Sequence, residues 1–153
     1  MEKERMEYFK VDPGALQGML EMEKYLAQSG LDRTIFELVK MRASQINGCA
    51  YCIDMHSKDA RLAGETEQRL YGLSAWRETS FYSEKERAAL AWTESLTLIS
   101  ENDVPEALYA NVKKHFDKKE LLALTMAIVA INGWNRLAIS FRTVPGSYKP
   151  KNV

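Results

Sequence analysis

Residues 37–61 read ELVKMRASQINGCAYCIDMHSKDAR. No two-residue alternation runs through this stretch, and its Leu, Met, Ala, Lys and Arg content favours helix on both sides of the turn signal Asn47-Gly48. Just after that turn stand the chain's two cysteines and one of its two histidines, as C-x-x-C-x-x-x-H from Cys49 through Cys52 to His56. A helix beginning near Cys49 puts these three groups on one face, because Cys52 lies three residues on and His56 four beyond that. A redox or metal site is the leading expectation for such a cluster.

Working outward, the same composition extends along most of the chain, and the four prolines and eight glycines fall mostly at segment edges. The fold class is all-α. Helices are expected at about 13–28, 32–47, 50–63, 65–71, 83–100, 105–115 and 117–142. Asp32, Thr66 and Ser83 offer N-capping oxygens, Glu86 completes a capping box with Ser83, and Gly30 and Gly64 suit helix ends. No low-complexity linker divides the chain. A single domain over 1–153 is expected, with a core at about 16–142 and an irregular tail, 143–153, either mobile or resting on a neighbour.

A chain of 153 residues can bury a core without covalent staples, which frees the cysteines for chemistry. Twenty-one basic residues balance twenty-one acidic ones, so no electrostatic footprint for nucleic acid or an anionic membrane is present. The first ten residues, MEKERMEYFK, lack the apolar stretch of a secretory signal, and the expected location is the reducing cytoplasm, where a disulfide is transient. The longest apolar run, Leu121 to Ile131, is short of the roughly 18–20 residues that cross a bilayer and reads as a buried core helix.

The sequence also echoes itself. A shift of 85 positions lays DRTIFELVKMRASQING over DKKELLALTMAIVAING, matching Asp32, Met41, Ile46, Asn47 and Gly48 with Asp117, Met126, Ile131, Asn132 and Gly133. The pattern reads as a degenerate helix-turn-helix repeat. Where the first copy has Cys49, Cys52 and His56, the second has Trp134, Leu137 and Phe141, so only the first copy is equipped for chemistry.

A cysteine reacts as its thiolate, which a helix N-terminus or a nearby imidazolium stabilises. Position at the helix start favours Cys49 as the attacking sulfur, and the histidine favours Cys52. An oxidant would turn either into a sulfenic acid, and the other thiol would condense with it to a disulfide.

These residues resemble the AhpD-like alkylhydroperoxidases of the carboxymuconolactone decarboxylase superfamily. The resemblance rests on Glu37, Cys49 twelve residues later, then Cys52 and His56, and runs more loosely from about Leu16 to Arg142. It implies a hydroperoxide substrate, a thiol or dithiol reductant and no bound organic cofactor. It further implies Cys52 as the peroxidatic cysteine, Cys49 as the resolving one, and Glu37 working through His56 as a proton relay. Members of the family assemble into dimers, trimers or hexamers, and a homo-oligomer, trimeric or hexameric, is expected. Well-known AhpD proteins carry a second relay histidine immediately before the second cysteine; Tyr51 stands there in this chain, and its reference pKa near about 10 makes a poor shuttle at neutral pH.

Two rival readings use the same residues. Zinc would find three ligands in Cys49, Cys52 and His56, with Glu37 to complete a site. A catalytically silent oligomeric module is the other. Taken alone, Glu37 reads as a surface residue, since it falls opposite the stripe of Ile35, Leu38, Val39 and Ile46. Trp134-Asn135-Arg136 reads as packing with a polar end, and His115 as an exposed residue near a helix C-terminus.

Overall fold

A computed structural model describes residues 3–150, and every regular element among them is helical. The α-helices are α1 (Tyr8–Val11), α2 (Gln17–Gln28), α3 (Arg33–Asn47), α4 (Ala50–Leu62), α5 (Glu67–Gly72), α6 (Glu84–Thr97), α7 (Glu106–Val112) and α8 (Lys118–Phe141), with tighter 3₁₀ turns at Pro13–Leu16 and Leu73–Glu78. The expected all-α class is what the chain adopts. Two pieces lie outside the sequence expectation, namely α1 and the turn at Leu73–Glu78. Both are too short to show a helical period. Tertiary contact holds them: Tyr8 packs on the Phe141 ring at 5.6 Å, and Leu73 and Trp76 are buried in the core.

Capping fixes where the principal helices begin. Asp32 accepts from the Ile35 N–H, Thr66 from that of Arg69, and Ser83 exchanges bonds with Glu86 in the expected box. Asp117 builds a second such box with Glu120 at the start of α8. Each cap satisfies amides that a helix start leaves without partners.

The middle of the molecule is α3, which packs against α4, α6 and α8. Its buried residues therefore run around most of its circumference, with Leu38, Val39 and Ala43 joined by Glu37, Lys40 and Ser44. From α8, Leu124, Ile128 and Ile131 are fully buried beside them. By length and composition α8 would qualify to cross a membrane, but half of that stretch is buried inside the fold, as in a core helix.

Gly48 ends α3 in the left-handed region, with φ 71°, and this lets the chain turn directly into α4. Its echo, Gly133, is helical and α8 runs straight through it. The first copy thus breaks into two helices where the second stays continuous. The described part of the tail, 143–150, has no regular structure and lies on α4 of its own chain. Lys58 Nζ donates to the carbonyls of Gly146 and Tyr148 at 3.2 and 3.1 Å, and the Gly146 N–H donates to Asp54 at 3.0 Å.

Candidate active site

The break at Gly48 makes Cys49 the N-cap of α4, with its sulfur accepting the Cys52 N–H at 3.3 Å. Cys49 and Cys52 are joined in a disulfide with their Cα atoms 5.3 Å apart. Each is 1% exposed. Both sulfurs sit in the first turn, where the partial positive charge of the helix start lowers the cost of a thiolate. Both pack in a small apolar cluster with Ala43, Ile131 and Ala138, and of the two only Cys52 also borders a cavity of about 610 Å³.

Two turns into α4, His56 is 4% exposed and its Nδ1 lies 2.9 Å from Glu37 Oε2. An ionised carboxylate can only accept at that contact, so there Nδ1 is the donor. The other Glu37 oxygen accepts from Arg33 Nε at 2.9 Å, one turn back along α3. Glu37 is buried although the helical wheel places it away from the apolar stripe, because α4 covers that side of α3. All four residues expected from the sequence, Glu37, Cys49, Cys52 and His56, thus meet at the α3–α4 contact.

Other polar groups in the same wall were not foreseen. Lys40, one turn after Glu37, is buried and bridges both Glu23 oxygens at 2.8 and 2.7 Å, while Glu23 also accepts from Trp134 Nε1 at 3.0 Å. Burial lowers the proton affinity of the Lys40 amine, and the Glu23 carboxylate works against that fall. Asp59 stands one turn after His56, with burial raising its proton affinity. Helical spacing carried a signal for Arg33, Lys40 and Asp59, since each is three or four residues from Glu37 or His56 on the same helix. Glu23 and Tyr148 come from distant segments and had none.

The rest of the cavity is apolar, lined by Phe9, Leu20, Phe36, Met55 and Trp134, with Phe9 stacked on Trp134 at 5.9 Å. A second cavity, of about 640 Å³, lies on the other copy of the echo. Its residues Phe116, Lys118, Leu121, Leu122 and Thr125 stand 85 positions after Leu31, Arg33, Phe36, Glu37 and Lys40 of the first. At the positions of Glu37 and Lys40 this wall carries Leu122 and Thr125, neither of them a charged group.

The zinc arrangement is not formed here, because the two sulfurs are bonded to each other. The carboxylate and imidazole atoms that do gather, from Glu37, His56 and Asp59, lie within 4.8 Å of one another. Arg33 and His56 already engage the Glu37 oxygens, and Tyr148 those of Asp59. These oxygens thus already accept hydrogen bonds from within the protein.

The carboxymuconolactone decarboxylase family model matches residues 13–95, more than half of the chain. The chain belongs to the carboxymuconolactone decarboxylase family. Within that family it is AhpD-like. A crystal structure of a protein of unknown function from Agrobacterium tumefaciens, considered there a candidate antioxidant-defence AhpD protein, is similar at a TM-score of 0.92 and 41% identity, over 95% of this chain and 100% of that one. The uncharacterized protein YdfG of Bacillus subtilis is 49% identical over 137 residues, 90% of this chain and 93% of its own. The alkyl hydroperoxide reductase AhpD of Mycobacteroides abscessus is 40% identical over 45 residues, 29% of this chain and 26% of its own.

Proposed function

We propose that this AhpD-like protein is a cytoplasmic, thiol-dependent hydroperoxide reductase. The observation that carries this reading is the pairing of Cys49 with Cys52 beside a buried His56–Glu37 couple, with Cys52 facing an apolar cavity. In the reduced protein, His56 takes the Cys52 proton and Glu37 balances the imidazolium. The thiolate attacks one peroxide oxygen, the O–O bond breaks, and the alkoxide leaves as an alcohol on receiving that proton. Cys52 is then a sulfenic acid. Cys49 condenses with it, releasing water and forming the disulfide, and a thiol or dithiol reductant returns the pair to two thiols. Phe9, Leu20, Phe36, Met55 and Trp134 favour a peroxide carrying an organic group over hydrogen peroxide.

The test is one equivalent of cumene hydroperoxide added to reduced protein. Loss of two thiols and of two mass units is expected, with Cys49→Ser trapping oxidised Cys52. Retention of both thiols would overturn the reading. The same proposal includes a homo-oligomer, trimeric or hexameric, supported by Leu122, Val129 and Ile139 exposed along α8. Light scattering at the monomer mass would remove that part.

A further inference from the structure

Glu37 is not the only carboxylate against His56. Asp59 lies three residues beyond His56 on α4, and one of its oxygens lies within 4.8 Å of an imidazole nitrogen and of a Glu37 oxygen. Tyr148 approaches from the opposite end of the sequence, its hydroxyl lying 2.9 and 3.1 Å from the two Asp59 oxygens. The hydroxyl is delivered by a tail that α4 itself fastens, through Lys58 to the Gly146 and Tyr148 carbonyls and through Asp54 to the Gly146 N–H. Asp54 and Lys58 are four residues apart and share one side of the helix, while Asp59, the residue after Lys58, points about a quarter-turn further round, toward the side of His56. Every fastening on this side of α4 thus brings Tyr148 onto the carboxylate that faces the histidine.

We propose that Tyr148 is a positioning residue, which holds Asp59 as a second carboxylate against His56 and so governs how readily the imidazole keeps a proton. The proposal deepens the hydroperoxide-reductase reading, on which the use of His56 as proton acceptor rests. The charged and titratable groups facing this point are Arg33, Glu37 and Lys40 from α3, Glu23 from α2 through Lys40, Tyr51 from α4 and Tyr148 from the tail. Burial of Asp59 and the nearby Glu37 favour its neutral form, whereas the Tyr148 hydrogen bond favours the anion. With the hydroxyl in place Asp59 keeps its charge and supports an imidazolium. Without it, Asp59 takes up a proton more easily and that support weakens.

The chain has two histidines, so ring C–H resonances in NMR can follow His56 with His115 as internal reference. The titration is run on the disulfide form, from about pH 5 to about pH 9, where an imidazole changes charge. Asp59→Asn is expected to lower the His56 midpoint by about one pH unit, and Tyr148→Phe to lower it by part of that. The double variant should match Asp59→Asn alone, because Tyr148 acts only through Asp59. An unchanged or raised midpoint in Tyr148→Phe would overturn the proposal, as would a Tyr148→Phe effect that survives in the Asp59→Asn background. Should Asp59→Asn not fold, Tyr148→Phe alone decides by the same criterion. No peroxide takes part, so a failed thiol-loss assay would sink the functional reading while the histidine coupling stood, and the reverse holds equally.

Discussion

Asn47 donates its side-chain amide to Asn132 Oδ1 at 3.0 Å and to Asn135 Oδ1 at 2.8 Å, so a residue at the end of α3 is bonded to its own echo 85 positions later. Asn132 and Asn135 are buried, and Asn135 passes the chain of bonds on to Ser44 at 3.0 Å. Asn47→Ala leaves the buried Asn135 Oδ1 without its donor and Asn132 Oδ1 with only Arg136 at 3.5 Å, and should cost about 1–3 kcal/mol. Urea unfolding of the two proteins measures it, and equal midpoints would show that the bridge contributes nothing.

The echoed glycines should respond to the same substitution with opposite sign. Gly48 needs a left-handed backbone, so Gly48→Ala should destabilise the protein by about 1–2 kcal/mol. Gly133 is helical, and a new Cβ there would meet the end of the Met19 side chain, its terminal methyl at 2.8 Å and its sulfur at 3.2 Å, which a flexible side chain can withdraw. Gly133→Ala should therefore be neutral or stabilising by up to about 1 kcal/mol. Thermal melts of both variants check the contrast, and loss of stability by Gly133→Ala greater than that of Gly48→Ala would contradict it.

Glu37→Gln keeps the size of the side chain and removes the charge that balances an imidazolium on His56. Thiol oxidation by cumene hydroperoxide should slow by about 10²-fold at neutral pH, the low end for a proton-transfer group. Far-UV circular dichroism should stay that of wild type. Unaltered oxidation kinetics would remove Glu37 from the relay.

Burial, with Asp59 adding to it, pushes the Tyr148 hydroxyl up to about 12. A folded-state value above the unfolded one, about 10, means that the contribution to stability is complete below about pH 10 and is lost as pH rises toward about 12. The melting temperature of wild type should therefore converge on that of Tyr148→Phe across this alkaline interval. A gap that stays constant through it would show that Tyr148 does not titrate against Asp59.

Helix-favouring composition along the chain made the fold class and most of the helices legible, and the C-x-x-C-x-x-x-H spacing brought Cys49, Cys52 and His56 together on one helix, because each depends on short-range pattern. Ser83 with Glu86 and Asp32 show the same point, since a cap is written within four residues of the helix it starts. Glu37 was harder. A helical wheel assumes one covered face, and α3 is covered by three helices, so the wheel assigns Glu37 to solvent when α4 in fact encloses it. Glu23, Trp134 and Tyr148 were out of reach for a different reason. Their positions beside Lys40 and Asp59 depend on how α2, α8 and the tail close over α3 and α4, and no local pattern records that.

Cys49 is both half of the disulfide and the residue whose sulfur receives the Cys52 amide in the first turn of α4. Electron count and backbone order are therefore written at the same atom. A thiolate, a thiol and a bridged sulfur differ as acceptors, so each oxidation state should set its own fraying of the opening turn. Amide hydrogen exchange at Cys52 would then report the redox state of the pair without any reagent touching sulfur.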